Sequence, residues 1–519
     1  MRFFGEPLEF EKQAGIGSPV WRGRAASGAE LQAFAVAAHR NGGRIATLWG
    51  EDCRQAGEGF SLHVAFGLDI GHAWLSLDLP AERPAYPDLA GIFPAANRMQ
   101  RATRDLVGVA HEGGDQRPWL RHDAWPADWF PLRHDSGEGR GFANAPSDYD
   151  FVQIGGEGAH EIPVGPIHAG IIEPGHFRFS VIGERVLRLE QRLGYQHKGV
   201  EKLFIGRNLA EGARLAGRVS GDSTCAYAWA YAAAVEAACG VSPPPRALGL
   251  RALMLERERV ANHLGDLGAL GNDAALAFGF SQFMRLKEDW LRLNARVFGH
   301  RFMMDRILPG GVALDLDAPA LSAVVEQSEA LARDVKELRK IYDEHAGLQD
   351  RFATTGAIDS ALVRELSLTG LAARASGLVL DGRAHRQGFT PPPPWTMLGV
   401  RPASDERGDV AARAAVRFAE IFESLRLLRE IAVGLPDGAV RVDVPPLAGA
   451  SGLGVVEGWR GEVLVGVALD GEGKLARVHP HDPSWQAWPA LEHAVMKDIV
   501  PDFPLINKSF NLSYSGHDL

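Results

Sequence analysis

Three long stretches whose apolar residues recur every three to four positions do most to set the architecture of this chain. They are ERERVANHLGDLGAL (256–270), FSQFMRLKEDWLRLNARVFGHRFM (280–303) and APALSAVVEQSEALARDVKELRKIYDEH (318–345). Such spacing puts one apolar stripe on each helix, and the stripes are buried only by packing helices together. AARAAVRFAEIFESLRLLREIA (411–432) adds another. The least polar segment, CAYAWAYAAAVEAACGV (225–241), is interrupted by Glu236 and falls short of the ~20 residues a bilayer span needs. Its alanines suit close packing, so it reads as a buried bundle helix, separated from the next by Pro243–Pro245.

The first part of the chain has a different rhythm. AELQAFAVAAHRNGG predicts a helix, and the alternating SLHVAFGLDI and HAWLSLDL predict strands. Arg117 to Asp135 places tryptophans and a phenylalanine among prolines, as either a docking surface or a locally packed loop. GEGRGFANAP (137–146) reads as a linker. RFSVIGERVLRLEQRLG then opens the second region with strands, PGGV (309–312) marks a turn, PPPPW (391–395) an extended connection, and WRGEVLVGVAL with KLARVHP a late hairpin. The expectation is an α+β N-terminal domain, residues 1–145, followed by a mainly α-helical bundle with a small β subdomain, residues 155–519.

Composition narrows the function. With 519 residues and a formal net charge of -10, the chain is long enough for several cores and lacks the basic excess of a nucleic-acid binder. Cys53, Cys225 and Cys239 are its only cysteines, without a Cys-X-X-Cys pair, so a reducing compartment is expected. The opening MRFFGEPLEFEK is too charged for a secretory signal. Phosphate-cradling glycine loops, H-E-x-x-H and the G-x-S-x-G elbow are absent.

The remaining candidates are polar residues among helices and turns. GPIHAGIIEPGHFRF carries His168, Glu173 and His176, which could ligate a metal or pass protons, but more simply hydrogen-bond a turn. Glu201 lies between Lys198 and Lys202, where a solvated helix face is the simpler reading. Asp273, between apolar runs, is either a helix cap or a buried acid able to exchange protons. Glu256, Glu258 and His263 suit interhelical ion pairs.

GPIHAGIIEPGHFRF, LGYQHKGVEKL, GRVSGDS, AYAAAVEAACGVSPPPRA, RERVANHLGDLGALGNDA, GHRFMMDRILPGGV and LTGLAARASGLVLDGRAHR follow in order a pattern that resembles the large subunit of group 4 membrane-bound [NiFe]-hydrogenases, of the formate hydrogenlyase and hydrogenase-4 type. It is equally similar to the homologous D subunit of complex I. ANRMQRATRDLVGVAHEGG and WPADWFPLRHD resemble the C subunit, fused as in hydrogenase-4. The resemblance implies a peripheral subunit on the cytoplasmic side of a membrane. Its partners would be an iron–sulfur small subunit holding a [4Fe–4S] cluster and antiporter-like membrane subunits, with no nucleic acid.

Hydrogenase members bind Ni and Fe through two Cys-X-X-Cys pairs, because thiolates are soft ligands able to bridge metals. Here Ser220, Gly221, Asp222 and Ser223 stand at the first pair, and DIVPDF, with Val500 and Phe503, at the expected second. The resemblance therefore implies no Ni–Fe centre, no hydrogen turnover and no cofactor bound by this chain itself. His176 and Asp273 match the acid–base pair of the family's quinone cavity, and Glu201 its proton-route glutamate, with His168 passing protons. Arg218 and Arg301 would sit near the partner's cluster. Gly221 replaces an expected tyrosine and Met303 an expected histidine, so quinone chemistry would persist only in altered form. The leading expectation is electron transfer coupled to proton or ion movement. The alternatives are a non-redox structural subunit, and an NADH:quinone oxidoreductase subunit whose NADH site lies in another chain.

Overall fold

The computed structural model describes all residues except 16, 123, 138–141, 143–148, 169–171 and 497. The alternating segments near the start form a mixed sheet of β1 (Phe10–Lys12), β2 (Val20–Ala25), β3 (Arg44–Asp52), β4 (Phe60–Leu68) and β5 (Gly71–Leu79), in the order β1-β2-β5-β4-β3. β2 runs parallel to β5, and α1 (Gly28–Arg40) carries the chain from β2 to β3 at the far edge of the sheet. α1 starts where the Ser27 hydroxyl accepts the Glu30 N–H and buries Leu31, Phe34, Ala35 and Ala38. β6 (Ala85–Pro87) and β7 (Ala110–Glu112) flank α2 (Ala96–Val107). The aromatic loop after them is locally packed. Trp119 is buried under the guanidinium groups of Arg98 and Arg101, and Trp125 meets Trp129 edge-on.

Beyond the linker, much of which lies outside the described residues, β8 (Ala159–Val164), β9 (His176–Ile182) and β10 (Arg185–Arg192) form an antiparallel sheet. α3 (Val200–Phe204) and α4 (Leu209–Ala216) lead into α5 (Thr224–Cys239), α6 (Pro245–Asp273) and α7 (Ala277–Phe298). A tight hairpin, β11 (Ile307–Leu308) and β12 (Gly311–Val312), precedes α8 (Ala318–Glu344), α9 (Ala346–Phe352), α10 (Ser360–Glu365), α11 (Gly370–Arg374), α12 (Trp395–Leu398) and α13 (Val410–Gly434). The chain ends with a sheet of β13 (Ser451–Glu457), β14 (Glu462–Leu469) and β15 (Leu475–His481), then α14 (Ser484–Ala494), α15 (Phe503–Phe510) and α16 (Tyr514–Asp518).

The alanines of α5 have a specific cause. The helix lies directly on β13, and a Cβ at Gly454 would come within 1.9 Å of the Ala230 carbonyl, one at Gly452 within 2.2 Å of that of Ala234. Only glycine opposite alanine permits that approach. One hydrophobic core then fills the bundle around α5, α6 and α13. A second runs from Phe34 of α1 and Leu62 of β4 through Phe177 to Trp488 and Phe510, so the beginning and end of the chain share it. The expected boundary near residue 145 lies outside the described residues. Among the described residues no helix is long and apolar enough to cross a membrane.

Candidate functional site

Two turns meet where the bundle joins the end of the chain. One is Ser220–Ser223, which opens α5; the other is Asn511–Gly516, which opens α16. The hydroxyls of Ser220 and Ser513 are 2.9 Å apart. The expectation that Val500 and Phe503 face Ser220 is overturned. The Val500 N–H donates to the Glu184 carbonyl beside β10, and Phe503 packs on Phe177 and Phe179. The apolar DIVPDF segment belongs to the core under β9 and β10, and only the polar NLSYSGH turn reaches the hollow.

The hollow is held by its own side chains. Ser220 donates to Asp222 Oδ1 (2.8 Å), and Arg460 grips both oxygens of that carboxylate, Nη1 at 2.9 Å and Nη2 at 2.5 Å. Burial by itself would raise the Asp222 pKa; Arg460 and Ser220 override it and leave the group below the usual carboxylate range. Arg460 Nε also donates to the Asn511 carbonyl (2.5 Å), so this one side chain ties both turns together. Tyr227 donates to Asp482 Oδ2 (2.7 Å), and the Gly516 N–H donates to the Ser513 hydroxyl (2.9 Å).

Glu201 is the sequence candidate whose surroundings depart most from the simple reading. Rather than lying on a solvated face, it is buried against β15, with Arg477 at 2.7 Å and His479 Nδ1 at 2.9 Å. Burial opposes its ionisation, but the arginine and histidine win and pull its pKa down to about 2. His176 Nδ1 bonds the Gly165 carbonyl (2.9 Å), and His168 Nε2 lies 3.3 Å from the Glu173 carbonyl, so both secure the turn before β9. The other His176 nitrogen is buried without a partner among the described residues.

Asp273 is the last residue of α6, and partial burial raises its pKa despite Lys508 nearby. No hydrogen bond joins it to His176 among the described residues. Arg218 is paired with Asp305 (2.5 and 2.8 Å) and Arg301 with Glu288 (2.7 and 3.1 Å), so each positive charge is offset by its own partner.

Sequence reasoning missed Arg460, Ser513 and the histidines of β15. R-V-H-P-H carried the signal: at strand spacing, Arg477, His479 and His481 share one face. Glu256 pairs with Arg383 of the loop between α11 and α12, and His263 makes the expected interhelical pair, with Glu420. Glu258 does not. It accepts the backbone N–H groups of Cys225 (2.6 Å) and Ala226 (3.2 Å) at the start of α5, and burial raises its pKa to about 8. Glu258→Ala is expected to destabilise the protein by about 1–2 kcal/mol, and Glu258→Gln far less, by urea unfolding at pH 7. Equal losses would remove the capping role.

Comparison with known proteins places this geometry. Residues 273–451 match the family model of the respiratory-chain NADH dehydrogenase 49 Kd subunit, and residues 29–140 that of the 30 Kd subunit. Formate hydrogenlyase subunit 5 of Escherichia coli is 30% identical over 493 residues, covering 92% of this chain and 85% of its own. The chain belongs to the group 4 hydrogenase large-subunit family, with fused complex I C- and D-like parts. Hydrogenase-4 component G of E. coli is also 30% identical, over 92% of this chain and 84% of its own. The fused C/D component of an NADH-quinone oxidoreductase from Gluconacetobacter diazotrophicus is 26% identical, over 71% and 64%. A chain of the membrane-bound sulfane sulfur reductase, an archaeal respiratory membrane complex, shares the fold, with a TM-score of 0.65 at 24% identity, covering 70% of this chain and 99% of that one.

For a member of this family, the hollow is a poor fit to a nickel–iron centre. Its donors are hydroxyls, a carboxylate and a guanidinium where soft thiolates would be needed. A Cβ at Gly516 would meet Asp482 Oδ2 at 2.6 Å. Cys225 points away, its thiol 3.8 Å from the Phe302 carbonyl. Among the described residues no three His, Cys, Asp or Glu side chains group to hold a metal.

Proposed function

We propose that this chain is a peripheral subunit of a membrane-bound, hydrogenase-related oxidoreductase complex, and that it carries no nickel–iron centre of its own. Its relatives are subunits of hydrogenase and NADH-quinone oxidoreductase complexes. The observation that carries the reading is the meeting of two polar turns. At the meeting of the Ser220 and Ser513 turns, this chain places an Asp222–Arg460 pair and hydroxyls. A reduced [4Fe–4S] cluster in a partner small subunit would supply electrons beside this cavity. The chain's own groups would position an acceptor and move protons, with ion movement in antiporter-like membrane subunits of the same complex. Quinone is one acceptor class compatible with His176 and Asp273.

A structural reading has its own support: every polar group of the Asp222–Arg460 pair is matched within the chain, as in a relic cavity that only holds the assembly. Two measurements on the native complex decide. Elemental analysis is expected to find less than about a tenth of a nickel atom per chain, whereas one per chain would overturn the reading of the hollow. Asp222→Asn is expected to depress electron-linked turnover in an assembled complex; unchanged turnover would favour the structural alternative.

A further inference from the structure

We draw no further inference here: the strongest candidate, the cavity of about 50 Å³ where the N-terminal sheet meets α5 and the segment before α12, has room for only about two water molecules, and each acid on its wall is already held by an arginine of the chain, Glu236 by Arg251, Asp381 by Arg383, Glu457 by Arg374 and Glu462 by Arg44, so nothing in the structure points to a ligand.

Discussion

Replacing Arg374 by Met is expected to destabilise the protein by about 3–5 kcal/mol, as when one partner of a buried ion pair is removed. Arg374 is fully buried on α11. It donates to Glu420 (2.8 Å), to Glu457 (2.8 Å) and to the Leu380 carbonyl (2.9 Å). Those acids belong to a larger buried network in which Arg383 holds Asp381 (2.6 Å) and Glu256 (2.8 Å), and His263 holds Glu420 (2.8 Å). Burial disfavours the Arg374 charge, yet Glu420 and Glu457 raise its pKa above the ordinary value, so it stays protonated. Removing it leaves two carboxylates of different elements, α13 and β13, short of a cation in a medium that cannot solvate them. Arg285→Ala provides the contrast. Its partners Asp289 and Asp334 share a surface where side chains are about half exposed, and a change of at most about 0.5 kcal/mol is expected. Urea unfolding of both variants at pH 7 is the measurement. A loss under about 1 kcal/mol for Arg374→Met would show that the network is not mutually dependent.

Acid sensitivity should be equally marked. Burial, reinforced by His479, holds the His481 pKa at about 3, far below the ordinary 6.5 of a histidine. The unfolded chain therefore takes up a proton below pH 6.5 that the native chain refuses. The stabilisation is complete above pH 6.5 and is lost progressively as pH falls toward 3. At about 1.4 kcal/mol per pH unit, His481 alone costs about 2 kcal/mol between pH 6.5 and 5. His479 and His517 shift in the same direction and add to the slope. Glu201 acts lower down: its stabilisation is present above the ordinary 4.5 and disappears as pH falls toward about 2. The dependence of the urea midpoint on pH in His481→Gln should be shallower than wild type by about that 2 kcal/mol over pH 6.5 to 5. Identical slopes would mean that His481 is not held neutral by the fold.

How far the sequence reaches differs from element to element. The periodic stretch 256–270 lies wholly within α6, 280–303 is helical as far as Phe298 and 318–345 as far as Glu344, and SLHVAFGLDI and HAWLSLDL pair as β4 and β5. The motif GRVSGDS supplies Ser220, which meets Ser513 of the other turn. The opposite side is not legible in the same way, because nearness to the chain's end does not say which of two neighbouring segments turns inward. Burial decides that, and it draws the apolar Val500 and Phe503 into the core instead. Glu201 reads as solvated because Lys198 and Lys202 flank it in sequence. Its burial depends on Arg477 and His479, nearly 280 positions away, arriving on β15 to neutralise and hydrogen-bond it.

By itself, the sequence determined what local periodicity and side-chain chemistry can settle: which segments are helices and strands, the alanine-rich surface that lets α5 pack closely, and the lack of paired thiolates. Only the tertiary structure decided that Ser513 meets Ser220, that Arg460 ties the two turns together, and that histidines of β15 line up with His63 of the N-terminal sheet. Hydrophobic periodicity acts within one element and is written in consecutive residues. The energy of a buried charge depends on partners brought from anywhere in the chain, so it exists only once the cores have closed around them.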